Sequence, residues 1–300
     1  MIHPTLEELK SAYKDKKVLV TGHTGFKGSW LTLWLEMLGA EVIGLSLEPN
    51  TDPSLFEVAK VENKCFHNVG DIRDYINIQE LLKRHKPDVV FHLAAQPIVL
   101  RSYEEPLYTL QTNVMGTANL LEELRQAKHS CAVVVVTTDK CYENHEWPHG
   151  YREEDEMGGH DVYSMSKGAV ELVVSSYRRS FLKDLDIRVA TARAGNVIGG
   201  GDWAENRLIP DAMRALSRGK KIIVRSPDAV RPWQHVLEPL SGYLLLGARL
   251  MGQNPHQYAE AWNFGPELSG AKSVSDLIEA VIDVWGSGEW EDRSNPNDPH

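Results

Sequence analysis

Val18-Leu19-Val20-Thr21-Gly22-His23-Thr24-Gly25-Phe26-Lys27-Gly28-Ser29 is the stretch that decides how the chain folds. A short apolar run breaks into glycines and then into a helical pattern, with Leu31, Trp34, Leu35 and Leu38 on one face at a spacing near 3.6 residues. Strand, glycine turn, helix is the context in which such a pattern becomes a dinucleotide site. Gly22 permits the tight turn. Gly25 lets backbone N–H groups approach a diphosphate at a helix N-terminus, and Gly28 lets that helix pack close to the strand.

The segments that follow repeat the alternation. Strands are predicted at Glu41-Val42-Ile43-Gly44-Leu45-Ser46, at Phe66-His67-Asn68-Val69 and at Pro87 to Phe91, which runs on into His92-Leu93-Ala94-Ala95-Gln96. Between the last two, Gly70-Asp71-Ile72-Arg73-Asp74 opens a helix through Leu82. Asp71 either caps that helix or accepts a hydrogen bond from an adenine amino group. A long helix is predicted after Gln96, with Asn113 and Gly116 in its first half. Cys131-Ala132-Val133-Val134-Val135-Val136 is the most apolar strand, as suits the middle of a parallel sheet covered on both faces. It ends in Thr137-Thr138-Asp139-Lys140, hydrophilic groups at the edge where an open α/β sheet binds its ligand. Such a stretch is otherwise a solvated loop start. Tyr163-Ser164-Met165-Ser166-Lys167 then begins a helix with Tyr163 and Lys167 one turn apart on one face. An ammonium beside a phenol favours phenolate, which takes a proton from a sugar hydroxyl as hydride leaves for a cofactor. The fold class expected is α/β, a Rossmann-type doubly wound parallel sheet with a smaller, interleaved C-terminal lobe.

Beyond the strand 187–194 the chain leaves this pattern. Gly195-Asn196-Val197-Ile198-Gly199-Gly200-Gly201-Asp202-Trp203 is a glycine-rich loop, followed by a helix over 208–218, a strand over 221–224 and Arg231-Pro232-Trp233-Gln234-His235-Val236. Arg207 and Arg231 are candidates to meet a diphosphate, because guanidinium matches phosphate geometry. A helix over 236–250 and the strand Ala261-Trp262-Asn263-Phe264 return to the main sheet, and 273–285 is an amphipathic helix. The polar tail 289–300 is expected to be exposed. The domains are therefore 1–197 plus 234–265 for the cofactor, and 198–233 plus 266–300 for the substrate.

Composition narrows the partners. The formal net charge of -10, with no basic run, speaks against nucleic acid and anionic membrane. No segment reaches the length of a membrane span, and residues 1–5 carry no apolar signal region. Cys65, Cys131 and Cys141 show no metal or disulfide spacing, and Cys141 with His145 and His149 is a poor metal set, so no metal is expected. A reducing cytoplasm is the default.

The motifs together resemble the extended short-chain dehydrogenase/reductases. Thr138-Asp139-Lys140, Gly199-Gly200-Gly201-Asp202-Trp203 and Arg231-Pro232-Trp233-Gln234-His235-Val236 narrow the resemblance to the 4,6-dehydratase branch acting on CDP-glucose. It covers essentially the whole chain. The resemblance implies that CDP-glucose is oxidised at carbon 4, loses water across carbons 5 and 6, and receives the hydride back at carbon 6. It implies Tyr163 as base, Thr138 assisting at the hydroxyl, Lys167 on the nicotinamide ribose and Asp139 as acid for the departing hydroxyl. Lys140 stands where the dTDP-glucose enzymes have glutamate, and is the base for the carbon 5 proton if its neutral form is accessible. The cofactor implied is NAD, held by Gly22, Thr24, Gly25, Phe26, Lys27, Gly28, Asp71, Ile72, Leu93, Ala94, Ala95 and Thr112 besides Tyr163 and Lys167. Ser46 stands where NAD sites commonly carry an acid, yet no arginine cluster follows for a 2′-phosphate. Substrate is assigned to Gln96, Asn196, Arg207, Arg231 and Trp233. A homodimer or dimer of dimers is implied, through the helices that follow Asn113 and carry Tyr163, and so is a substrate lobe continuing beyond residue 300. A nucleotide-sugar 4-epimerase of the same fold would need no acid-and-base pair such as Asp139 and Lys140. A non-catalytic NAD sensor would be expected to lose Tyr163 or Lys167.

Overall fold

The computed structural model describes residues 4–147, 149–267 and 270–295. In chain order, α1 (Leu6–Tyr13) leads into β1 (Lys17–Thr21), α2 (Phe26–Met37), β2 (Glu41–Ser46), α3 (Leu55–Val58) and β3 (Phe66–Val69). The pattern continues through α4 (Tyr75–His85), β4 (Val89–His92), α5 (Val99–Glu104), α6 (Pro106–Leu110), α7 (Gly116–Ala127), β5 (Cys131–Val136), α8 (Val162–Tyr177) and β6 (Ile187–Ala194). Then come β7 (Val197–Ile198), α9 (Leu208–Ser217), β8 (Ile222–Val224), β9 (Val230–Pro232), β10 (Gln234–His235), α10 (Leu237–Met251), β11 (Ala261–Phe264), β12 (Ala271–Ser273), α11 (Val274–Trp285) and β13 (Trp290–Asp292).

The central sheet has seven parallel strands in the order β11-β6-β5-β4-β1-β2-β3. Side chains alternate between its faces, so neighbours along one strand enter different cores. Val18, Val20, Val134 and Val136 pack with Leu31 and Leu35 of α2 and Leu240, Tyr243 and Leu244 of α10. Leu19, Val133 and Val135 pack on the other face with Ile78 and Leu82 of α4, Leu120 and Leu124 of α7, and Val170 and Val174 of α8. This double covering explains why β5 is buried at every residue and reads as an unbroken apolar run. As the sequence indicated, β11 rejoins the sheet beside β6.

A third, smaller core joins α9, β8, α11 and β13 through Ala212, Leu216, Ile222, Ile278, Ile282 and Trp290. All of these fall within 198–233 and 266–300. In the tail from 289, Glu289 and residues 292–295 are exposed, but the sequence reading missed that Trp290–Asp292 pairs in parallel with Ile222–Val224, which half-buries Trp290 and Glu291. Residues 296–300 lie outside the described residues.

Two other elements differ from the sequence reading. The helix after β3 begins at Tyr75, and its N-cap is Asp74, whose carboxylate accepts from Ile76 N at 3.0 Å. Asp71 is therefore not the cap. The long helix expected after Gln96 is broken at Pro106, which starts α6, and again by a π turn over Gln111–Met115. Such a turn shifts the helical register locally and is common near functional sites. Thr112 and Asn113 lie on it, and both are buried.

A buried ion pair ties the edge of β5 to β6 and α8. Glu171 accepts from Thr137 Oγ1 (2.5 Å), Thr191 Oγ1 (2.7 Å) and Arg193 Nη2 (2.8 Å). Arg193 Nη1 donates in turn to Tyr142 OH and to the carbonyl of Glu153, which anchors the chain following Lys140. Both charged side chains are about 5% exposed or less. Removing one partner strands the other charge in the interior. Arg193→Met is therefore expected to lower the unfolding free energy in urea by about 3–5 kcal/mol, with most of the loss recovered when Glu171→Leu is added.

Candidate active site

The glycine turn forms as read. Gly22 has φ +77°, and a Cβ there would sit 2.8 Å from the Ala94 backbone nitrogen. A Cβ on Gly28 would lie 2.0 Å from the Gly22 carbonyl oxygen, so only glycine lets α2 pack this close. Gly25 is the N-cap of α2 and supplies no side-chain cap, which leaves the N–H groups of the first turn directed at the cleft. That cleft, of about 770 Å³, runs over the carboxyl edge of the sheet and is lined by every residue assigned above to cofactor, chemistry or substrate. Thr112 Oγ1 lines it as a buried hydroxyl without a partner. A glycine cradle, a bare helix N-terminus and an unpaired hydroxyl suit a dinucleotide diphosphate and ribose, so the residues present fit NAD. At the adenosine end Ser46 Oγ lies 2.8 Å from Thr24 Oγ1, and Asp71 is paired with the Arg73 guanidinium, which holds its carboxyl below the usual carboxylate range.

The reacting end is built by β5 and α8. Thr138 caps a single turn over Asp139–Cys141. Its hydroxyl accepts from Lys140 N at 3.4 Å and donates to Asp139 Oδ1 at 3.1 Å. The other carboxylate oxygen of Asp139 packs on Gly195, where a Cβ would stand 2.7 Å from it. Asp161 caps α8 by accepting from the backbone N–H and hydroxyl of Ser164. Tyr163 and Lys167 then face the cleft one turn apart, and Lys167 Nζ donates to the carbonyl of Val136 at 3.2 Å.

Burial governs the charges of this end. It pushes the Tyr163 phenol up to about 12, although a hydrogen bond with Thr138 and the charge of Arg207 oppose it. The phenolate expected from Lys167 alone is thus outweighed by desolvation. Burial likewise lowers Lys167 to about 8. Lys140 is lowered by burial and by the charge of Arg231, against the pull of Asp161 and Asp139. Lys27 is lowered to about 8 by burial, Arg207 and Lys167, and its ammonium stands 5.9 Å above the Tyr243 ring.

Most residues assigned to substrate line the far wall. Arg207 is at the N-terminus of α9 and donates to Asp202 Oδ2 at 2.9 Å, while Arg231 on β9 donates to the Val230 carbonyl at 3.0 Å and its charge acts on Lys140. Asn196 is in the wall, and the Trp233 indole N–H is bonded to the Lys272 carbonyl. Gln96 lines the cleft too, with its amide donating to the Ile98 carbonyl and Thr109 Oγ1 and accepting from Ile98 N, so its side chain also shapes the loop after β4. Three residues carried no sequence signal for the site. Asn113 accepts from Gln96 N and donates to the Gln96 carbonyl and Ser166 Oγ, joining that loop to α8. Gly195 makes room for Asp139. Tyr243 places a buried, unpartnered hydroxyl where the charges of Tyr163 and Asp139 act on it.

Comparisons with known proteins give the family and the fold. A profile of the family described as GDP-mannose 4,6 dehydratase matches residues 19–259. The CDP-glucose 4,6-dehydratase of Salmonella typhimurium strain LT2 is 47% identical over 299 residues, which covers 97% of this chain and 83% of that protein. DesIV, a dTDP-glucose 4,6-dehydratase from Streptomyces venezuelae solved with NAD and TYD bound, matches with a TM-score of 0.78 at 25% identity, over 93% of this chain and 84% of that one. The epimerase Mth375 of Methanothermobacter thermautotrophicus reaches a TM-score of 0.82 at 22% identity, over 97% of this chain and 83% of that one, a likeness of fold.

The contact between Asp139 and Gly195 is testable. Gly195→Ala is expected to displace the carboxylate by close to an ångström and to lower turnover about 100-fold, because misplacements of this size cost that much. NAD binding, followed by quenching of tryptophan fluorescence, is expected to stay at the wild-type level.

Proposed function

The chain belongs to the GDP-mannose 4,6-dehydratase family, within the extended short-chain dehydrogenase/reductases, and we propose that it dehydrates CDP-glucose to CDP-4-keto-6-deoxyglucose. The observation that carries this reading is the pair Asp139 and Lys140 on one turn, beside Tyr163 and in the same cleft as the glycine cradle. An epimerase has no use for that pair. NAD, which the glycine turn, Thr112 and Lys167 would hold, would supply reversible hydride transfer with the sugar; the remaining chemistry is proton transfer by side chains.

Tyr163, whose phenolate the cationic nicotinamide ring of a bound cofactor would favour against the burial that raises it here, takes the proton of the carbon 4 hydroxyl, with Thr138 beside it. The ketone formed at carbon 4 acidifies the proton on carbon 5, which Lys140 removes. Asp139 protonates the hydroxyl leaving carbon 6. Burial and Arg231 make the neutral amine of Lys140 accessible below the ordinary lysine value of 10.5, which is what a base requires. Arg207 and Arg231 meet the diphosphate of the nucleotide sugar, at the end of the cleft away from the glycine turn. The product serves deoxysugar biosynthesis.

The active form is a homodimer or a pair of such dimers. Leu107 of α6, Met115 of the π turn, and Met165 and Leu172 of α8 are exposed apolar side chains on the helices that would pair. No helix among the described residues is long and apolar enough to cross a membrane. The free thiols Cys65, Cys131 and Cys141 suit a reducing compartment, and we place the protein in the cytoplasm.

Four measurements follow. With NAD added, CDP-glucose is expected to lose one water by mass spectrometry while dTDP-glucose, UDP-glucose and GDP-mannose stay unchanged; a new stereochemistry at unchanged mass would instead mean epimerisation. Lys140→Ala is expected to lower turnover by about 10²–10⁴ and to abolish solvent deuterium uptake at carbon 5, which Asp139→Asn retains. Because protonated Lys140 is inactive, wild-type turnover rises with pH along a limb whose apparent pKa lies below 10.5. Light scattering is expected to give twice the chain mass, and Leu172→Glu a monomer.

A further inference from the structure

Lys140, the proposed base, is not held at its tip. Among the described residues no hydrogen bond or ion pair engages its ammonium, and its backbone N–H is bonded to Thr138 Oγ1. Where the amine stands in the cleft is therefore decided by the turn that carries it. One end of that turn continues β5 and is capped by Thr138. The other end is Tyr142, two residues past Lys140, which is 4% exposed and does not line the cleft.

Tyr142 is fixed from several directions. Its hydroxyl donates to Asn263 Oδ1 at 2.7 Å and accepts from Arg193 Nη1 at 2.7 Å. A phenol has one proton to give, so both contacts are directional. Arg193 and Asn263 are register partners on β6 and β11, and residues opposite one another in a sheet share a face. The spacing between the donor and the acceptor of Tyr142 is thus set by the sheet itself. Asn263 also ties down the chain that runs from Tyr142 towards α8. Its amide donates to the Tyr151 carbonyl at 3.0 Å, and its backbone N–H to Glu153 Oε1 at 2.8 Å. The Tyr151 ring in turn stacks on that of Tyr142, with centroids 5.1 Å apart. Farther on, Gly158 N donates to the Cys141 carbonyl at 2.9 Å, and a Cβ on Gly168 of α8 would stand 3.2 Å from the same oxygen. The turn that carries Lys140 and the helix that carries Tyr163 rest on one support outside the cleft.

We propose that Tyr142 is the positioning residue of the proposed base: held between Arg193 and Asn263, it fixes the turn that presents Lys140 to carbon 5. Asn263 acts through Tyr142 from an edge strand more than a hundred residues away in sequence. A general base contributes about 10²–10⁴-fold, and a misplacement of about 1 Å costs about 100-fold, so a base without a bond at its tip depends on this backbone anchor.

This inference rests on the dehydratase reading. Its test follows single turnovers of CDP-glucose deuterated at carbon 4, at carbon 5 or at neither. NAD-loaded enzyme is in saturating excess, where the rate constant does not depend on the fraction of protein folded. Tyr142→Phe keeps the ring against Tyr151 and removes only the hydroxyl. It is expected to lower the rate constant about 10–100-fold. Deuterium at carbon 5 is expected to slow it by at least the wild-type factor, and deuterium at carbon 4 by no more than the wild-type factor, because only the carbon 5 proton is taken by Lys140. Asn263→Ala is expected to behave alike, and the double variant to be no slower than the slower single one, since both remove the same contact. An unchanged rate constant, a carbon 4 effect that grows or a carbon 5 effect that shrinks overturns the proposal, as do losses that multiply in the double variant. Should Tyr142→Phe not fold, Asn263→Ala is read in the same way. A wild type that removes no water from any nucleotide sugar overturns the dehydratase reading instead.

Discussion

Desolvation at the carboxyl end of β5, where Thr137, Thr138, Tyr163 and Lys167 are buried beneath the cleft, governs the arrangement of the site. Strand β5 is buried along its whole length, so the chain delivers Thr137, Thr138 and Asp139 into surroundings where an unpaired polar group is costly. Each finds an internal partner: Thr137 the carboxylate of Glu171, Thr138 that of Asp139. Two unit charges about 4 Å apart interact by about 1 kcal/mol in water and about 4 kcal/mol at the effective dielectric of a protein surface region. Desolvation therefore turns the modest influence of Arg207, Arg231 and Lys167 on their neighbours into something that sets protonation states. It also explains why Tyr163 rises to about 12 and Lys167 falls to about 8 in the same few ångströms.

The parts of the fold that were legible in the sequence are those in which one physical requirement dominates. Gly22 and Gly28 announce backbone approaches that no side chain tolerates, and the Cβ positions at both confirm it. The run from Cys131 to Val136 announces a strand covered on two faces. Tyr163 and Lys167 announce a helix face, because their spacing is one turn. Features settled by competition between neighbours were not legible. Asp71 and Asp74 were equally good caps by type, and Asp71 went to Arg73 instead. Trp290 looked like part of a polar tail, yet the open edge of β8 accepted it. Gln96 was legible as an amide beside the cleft, but not its bonds to Ile98 and Thr109, which depend on how the loop after β4 closes.

The π turn over Gln111–Met115 shows why some of the site was out of reach of pattern reading. An ideal helix would carry one hydrophobic stripe past Gly116, and the sequence was read that way. The turn inserts one extra residue into that register, and Asn113 reaches both the loop after β4 and Ser166 of α8. Thr112 is brought beside the cleft with its hydroxyl unspent. Two of the walls that the cofactor and the proposed catalytic tyrosine depend on are thus joined by one amide side chain, which no periodicity announces.

Asp139 and Lys140 are neighbours on one short turn fixed to the sheet, whereas Arg207 begins a helix whose apolar face belongs to a separate small core. The distance between the proposed acid and base is therefore set by a single peptide unit and is independent of how the smaller core sits over the cleft. Chemistry and recognition are, in that sense, inherited separately. The outer core is free to drift towards a different base or sugar, through insertions or wholesale exchange, while the bond-making machinery beneath it keeps its dimensions.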